Sequence, residues 1–331
     1  MSQGLINNRA DFVTEALAGL QASAPHLIRV NDDPRFVVRA ERRDDKVAIV
    51  SGGGAGHEPL HTGFVGTGML DAAVPGEVFA SPHAGQVRAA IDAVDAGRGV
   101  LLVVKNYTGE VLNFSVAAQL APESRRVEVV IVDDDLATSG RGDGEPGRRG
   151  TAAVVVVEKI CGAAAEAGAS LDQVAKLGHR VVRSSATLGM AFRSCTPPGA
   201  AGPSFDLADD EIEFGVGIHG ERGIETRPKG TAVEIVANLA RPVLEELGLH
   251  AGDRVIAIVN GLGAASGLEL SLAHHELHRL LAAEGIEIAR SLVGSLVTSL
   301  DMHGLSITLT RADDELLTLW DAPVRTLALS W

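Results

Sequence analysis

Short apolar runs recur along the chain, and each ends in glycine, polar or charged residues. Residues 46–50 (KVAIV), 100–104 (VLLVV), 127–132 (VEVVIV), 255–259 (VIAIV) and 305–310 (LSITLT) read as buried strands. They are short, rich in β-branched side chains and bounded by turn residues. Residues 213–218 and 286–297 share that strand character. Helical spacing of apolar positions marks 82–96, 107–121, 170–182, 232–247 and 268–283, with Pro242 interrupting the fourth of these. Asp11 stands where it can cap a first helix carrying Phe12, Leu17 and Leu20, and Ser170 is placed to cap another. Residues 151–167 open on a valine run with strand propensity, but their length and alanine-rich close predict a helix.

This alternation predicts two α/β domains with mixed, largely parallel sheets flanked by helices. Pro197, Pro198 and Pro203 crowd together where the pattern changes, near residues 184–205. The expected division is therefore 1–183, a first domain with a glycine loop, and 184–331, a second α/β domain. Residues 139–150 (SGRGDGEPGRRG) predict an exposed, mobile loop. In such sheets, ligands bind beyond the carboxyl ends of the strands.

Composition narrows the function. The 331 residues are 46% hydrophobic, enough for a sizeable core. Acidic residues outnumber basic ones by 43 to 29, and the net charge of −14 repels nucleic-acid phosphates and anionic lipid. Cys161 and Cys195 form no CxxC pair and no disulfide framework, which fits a reducing cytoplasm. The first residues lack the basic and apolar regions of a secretory signal. No apolar stretch approaches the roughly 18 residues of a membrane span.

Three segments concentrate possible chemistry. Residues 51–59 (SGGGAGHEP) directly follow a predicted strand, and their glycines can bring bare backbone N–H groups to a ligand beside His57. The chain has no Gly-Lys pair, so this is no Walker A loop. The same stretch spells H-E-x-x-H over His57, Glu58 and His61, the zinc-hydrolase pattern; that pattern needs both histidines on one helix face, and Pro59 stands between them. Residues 105–114 (KNYTGEVLNF) place Lys105 and Glu110 at the end of the VLLVV strand, where a lysine can bind oxygen and a carboxylate can act as base. They equally suit a plain helix start, with Thr108 as cap and Glu110 near the positive end of the dipole. Residues 213–221 (EFGVGIHGE) present His219 between glycines, either an accessible imidazole or an idle turn residue. His274, His275 and His278 fit a solvated helix face better than a metal site. Asp133, Asp134 and Asp135 suit a cation or, more plainly, an exposed acidic strand end, and Arg148 and Arg149 either meet an acidic partner or phosphate or simply solubilise the loop.

As a set these motifs are familiar. SGGGAGHEP, KNYTGEVLNF, GRRG at 147–150, EFGVGIHGE, TSLDMHGLSITL and WDAPVRTLALSW resemble, in that order, the K subunit of dihydroxyacetone kinases. The similarity runs from Leu5 to Trp331. The resemblance implies that an imidazole matching His219 adds to the ketone carbonyl of dihydroxyacetone as a hemiaminal. His57 matches the family's acid/base histidine, and Gly54, Ala55, Gly56 and Lys105 match its substrate-binding positions. Imidazole can add to a ketone but not to glycerol, so covalent capture selects ketones. Glu110 stands where the family carries Asp. The extra methylene moves the carboxylate by roughly a bond length, and about 1 Å can change a rate by about 10²-fold. A four-carbon, erythrulose-like ketose is therefore the alternative substrate. A ketose-binding regulatory paralogue without catalysis is a second alternative, and the zinc hydrolase a remote third. Single-chain relatives continue into a helical nucleotide-binding domain. Because this chain ends at Trp331, the resemblance implies a separate L subunit carrying ADP or ATP with magnesium, no cofactor or metal on this chain, and a homodimer.

Overall fold

The structure, a computed structural model, describes residues 4–122, 124–139 and 147–331. Residues 140–146, the middle of the predicted loop, lie outside the described part. Two compact units emerge, and neither is one continuous half of the chain. The first comprises Met1–Val132, Val154–Val181 and Thr318–Trp331; the second comprises Asp133–Ala153 and Val182–Leu317.

The first unit begins with α1 (Phe12–Ser23), which buries Val13 and Leu17. Asp11 precedes it without capping it: its carboxylate accepts from Asn8 Nδ2 instead. A hairpin of β1 (Ile28–Asp32) and β2 (Arg35–Arg39) follows, then β3 (Ala48–Ala55) and β4 (Ala72–Val78). Next come α2 (Ala84–Val94), β5 (Val100–Lys105), α3 (Thr108–Gln119) and β6 (Val127–Val132). Helices α4 (Ala153–Glu166) and α5 (Leu171–Arg183) complete the series, the second opened by Ser170, whose Oγ accepts from Gln173 N. The strand order is β1-β2-β4-β3-β5-β6. Pairings β4–β3, β3–β5 and β5–β6 are parallel. From β3 the chain moves to β4 on one side; from β5 it moves to β6 on the other. The gap between the carboxyl ends of β3 and β5 is thus the topological switch point, the usual ligand crevice of an open α/β sheet. One face of this sheet packs Val50, Val74 and Leu102 against Val87 and Ile91 of α2 and Phe114 of α3, all 0% exposed.

A buried ion cluster ties this sheet together. Asp71, just before β4, accepts from Lys46 Nζ at 2.5 Å, from Ile49 N at 2.8 Å and from Arg39 Nη1 at 3.2 Å. Arg39 also reaches Glu166 of α4.

The second unit contains β7 (Ser185–Arg193), β8 (Glu211–Phe214), β9 (Glu225–Pro228), α6 (Ala232–Leu247) and β10 (Arg254–Gly261). It continues with α7 (Gly267–Ala283), β11 (Glu287–Gly294), β12 (His303–Arg311) and the start of α8 (Asp314–Asp321). The order is β11-β10-β12-β7-β8-β9. The expectation of largely parallel pairing holds in the first sheet and fails here. Among the described residues only β10 and β11, joined by α7, run parallel. No helix separates β7, β8 and β9, and without a crossover helix neighbouring strands turn back antiparallel. Helix α6 runs through Pro242 without interruption. Its apolar face buries Leu239 and Val243 completely, and that packing outweighs the missing backbone bond.

The acidic run at the end of β6 is not a solvated tail. Asp134, 1% exposed, accepts from Thr151 N, Thr151 Oγ1, Ala153 N and Thr187 Oγ1. Among the described residues no helix is long and apolar enough to cross a membrane.

A candidate active site at the sheet switch point

The predicted glycine loop is the second half of a strand. β3 continues through Ser51, Gly52, Gly53, Gly54 and Ala55, all buried. Among the described residues 51–59, only Gly56 takes a positive φ, 99°. The glycines therefore serve close packing rather than a tight turn. A Cβ on Gly53 would lie 2.5 Å from Lys105 Nζ and 3.2 Å from Glu110 Oε1. A bare backbone here lets a lysine and a carboxylate converge on the strand.

Lys105 ends β5 and is 0% exposed; Glu110, in the first turn of α3, is 4% exposed. Their charged atoms stand 3.7 Å apart, an ion contact rather than a hydrogen bond. Burial lowers the Lys105 pKa, opposed chiefly by the charge of Glu110. Thr108 does not cap α3; the cap position is Tyr107, whose side chain makes no cap bond. Beyond Ala55 the chain turns. Gly56 N donates to both carboxylate oxygens of Glu58 at 3.1 Å. His57 is buried, and its ring stacks on Phe79 at 5.3 Å between centroids. Phe79 itself holds a φ of 57°, a conformation bulky residues rarely adopt, and its N–H donates to Ala55 O. Gly54, Ala55, Gly56, His57, Lys105 and Glu110 thus lie at or just beyond the ends of β3 and β5.

Sequence reasoning raised His61 only within the zinc pattern and missed Glu158. Residues 57–61 are not helical, so His57 and His61 do not sit one helical turn apart as the zinc pattern requires. Both nitrogens of His61 are occupied: Nδ1 lies 2.6 Å from Glu158 Oε1 and 3.0 Å from Ser51 Oγ, and Nε2 lies 3.1 Å from Lys105 Nζ. A visible signal existed. Glu158 and Lys159 interrupt the valine run of α4, and both are fully buried.

Burial pushes the Glu158 carboxyl up from 4.5 to about 8, against the opposing charge of Lys105. Between those pH values the folded chain holds a proton that the unfolded chain has released, so folding loses ground as pH rises. Glu158→Gln carries no such proton. Its melting temperature relative to wild type is expected to climb from about pH 5 to about pH 8. A gap that stays constant across that range would mean Glu158 is already ionised in the fold.

His219 belongs to the second unit and follows β8 after a short bend. Its N–H donates to Glu221 Oε2 at 2.8 Å, and Glu221 Oε1 pairs with Arg149 at 3.0 Å. Arg149 also donates to Asp135 Oδ2 and to Gly215 O, so it anchors this segment rather than solubilising a loop. A Cβ at Gly217 would fall 1.9 Å from Glu221 Oε1, which makes glycine a requirement of the Arg149–Glu221 pair. Burial lifts the Asp135 carboxyl to about 6 despite Arg149. His274, His275 and His278 lie on α7, and among the described residues no cluster of three or more His, Cys, Asp or Glu could hold a metal ion.

The model of the Dak1 domain matches residues 18–328, and the chain belongs to the Dak1 family. It is 44% identical over 353 aligned positions, covering 99% of both chains, to an Escherichia coli K12 protein. That protein is named as the dihydroxyacetone-binding subunit DhaK of PEP-dependent dihydroxyacetone kinase. Among solved structures, the native dihydroxyacetone kinase of C. freundii superimposes with a TM-score of 0.90 at 35% identity, over 100% of this chain and 60% of that one. A dihydroxyacetone kinase operon co-activator, DhaQ, also gives a TM-score of 0.90, at 33% identity over 95% and 97% of the two chains.

Proposed function

We propose that this chain is the ketose-binding subunit of a dihydroxyacetone kinase and presents its substrate for phosphorylation by a separate nucleotide-carrying L subunit. The observation that carries this reading is the end-to-end 44% identity with a protein named for dihydroxyacetone binding. The convergence of Lys105 and Glu110 on Gly53 agrees with it. His219 adds through a ring nitrogen to the ketone carbon. The carbonyl electron pair moves to oxygen, which takes up a proton, and the attacking imidazolium loses one, leaving a neutral hemiaminal. Gly54, Ala55 and Gly56 offer backbone, and Lys105 a cation, for the sugar oxygens. Glu110 accepts the proton of the hydroxyl that attacks phosphorus, and His57 acts in acid/base exchange during capture and release. The nucleotide, ADP or ATP with magnesium, belongs to the L subunit, and the chain works as a cytoplasmic homodimer.

Intact-mass analysis under native conditions after incubation with dihydroxyacetone, without a reductant, tests the reading. Wild type is expected to gain one triose, and His219→Ala none. An adduct that persists in His219→Ala, or no adduct in wild type, rejects covalent capture at this position. Turnover with an L subunit separates a kinase subunit from a ketose-binding regulator.

A further inference from the structure

His61 and Glu158 are fully enclosed, and the proposed chemistry leaves both without a task. We infer that they are positioning residues for Lys105: Glu158 accepts the Nδ1–H of His61, which aims the Nε2 lone pair at the Lys105 ammonium and holds that cation facing Glu110. The inference rests on the ketose-site reading for its kinetic consequence.

The direction of the chain follows from donor and acceptor counts. Ser51 has one O–H, and it is donated to Val103 O at 2.7 Å. Its oxygen therefore faces Nδ1 as an acceptor, at 3.0 Å. Glu158 Oε1, at 2.6 Å, can accept there whether or not Oε2 is protonated. With two acceptors at Nδ1, the ring proton sits on Nδ1. A neutral imidazole then offers only a lone pair at Nε2, matched to the Lys105 ammonium at 3.1 Å. Neutrality fits the surroundings: burial first, then Lys105 and His57, hold the His61 pKa well below its ordinary value.

Stability alone does not account for this arrangement. Glu158 Oε2 has no hydrogen-bond partner among the described residues, and a buried polar atom left unsatisfied costs stability that an apolar replacement would not. The polarity of the chain instead ends at Lys105 and Glu110, at the switch point. The ionisable groups facing Lys105 are His61 from the turn after β3, Glu110 from α3 and Glu158 from α4, and His57 in turn faces His61. Cys161 faces Glu158 from the same helix, and burial pushes its thiol up, so it stays uncharged.

Above about pH 8 the ionised Glu158 raises the Lys105 pKa. Removing that charge must let Lys105 lose its proton at lower pH. The chain has five lysines, so the Nζ resonance of Lys105 in 15N-lysine-labelled protein can be assigned with Lys105→Arg. In Glu158→Gln, which lacks the charge, and in His61→Asn, which lacks the ring acceptor, Lys105 is expected to titrate at lower pH than in wild type. With L subunit present, the alkaline limb of ketose phosphorylation should move down in parallel. An unchanged Lys105 titration in both variants overturns the inference, because a packing role leaves it in place. If Lys105 titrates lower while wild type forms no ketose adduct, the positioning pair stands and the ketose reading fails.

Discussion

Glu110→Ala is expected to lower ketose phosphorylation by about 10²–10⁴-fold while the His219 adduct still forms, the loss typical of a missing general base. Glu110 is 4% exposed, and its Oε1 has no hydrogen-bond partner among the described residues, although Lys105 Nζ lies 3.7 Å away. An oxygen desolvated in this way and facing an ammonium is available for a substrate hydroxyl. Steady-state turnover with the L subunit, alongside intact mass, separates the steps: capture belongs to His219, and proton removal to Glu110. Turnover within threefold of wild type would remove Glu110 from the chemistry. Glu110→Asp withdraws the carboxylate by roughly a bond length, a displacement large enough to alter rates about 10²-fold. Its ratio of turnover on three-carbon against four-carbon ketoses is expected to fall, because a withdrawn carboxylate leaves room for the larger sugar and is harder for the shorter one to reach. An unchanged ratio would show that this side chain does not select substrate length.

Asp71→Ala is expected to cost about 3–5 kcal/mol, because it leaves the buried Lys46 and Arg39 with Glu166 alone to balance two cations. The backbone N–H of Ile49 loses its acceptor as well. For domains of this size the loss corresponds to a melting temperature lower by roughly 10 °C, measurable by calorimetry. Asp71→Asn keeps an acceptor oxygen and should lose less. If alanine melts within a degree of wild type, water has entered to solvate the two cations and the cluster is not closed.

The strands most legible in the sequence were those buried on both faces. VLLVV and VIAIV fall within β5 and β10 and KVAIV runs into β3, since burial on both sides demands unbroken apolar runs, while VEVVIV forms β6 with only Val130 and Val132 buried. β4 was missed because AAVPGEV carries a proline and a glycine, and β7 because SATLGMAFR mixes small and polar residues. The glycines of β3 misled in the other direction: strand propensity penalises them, yet neighbouring backbone and side chains leave no space for Cβ. Within the site, Lys105 and Glu110 were readable because both follow one strand closely. The partnership of His61 with Glu158 was not, since 97 positions separate them and nothing local relates the two.

The path of the backbone also bears on how the protein comes into being. Residues 318–331 belong to the first unit: Arg325 N donates to Thr67 O, and Ala328 N donates to Gly63 O, close to the turn that bears His57 and His61. A nascent chain emerging from a ribosome therefore cannot finish this first unit until residues 318–331 have left the exit tunnel. Dissecting the gene at residue 183 would yield a fragment missing its own closing segment, so the two units are poor candidates for separate expression.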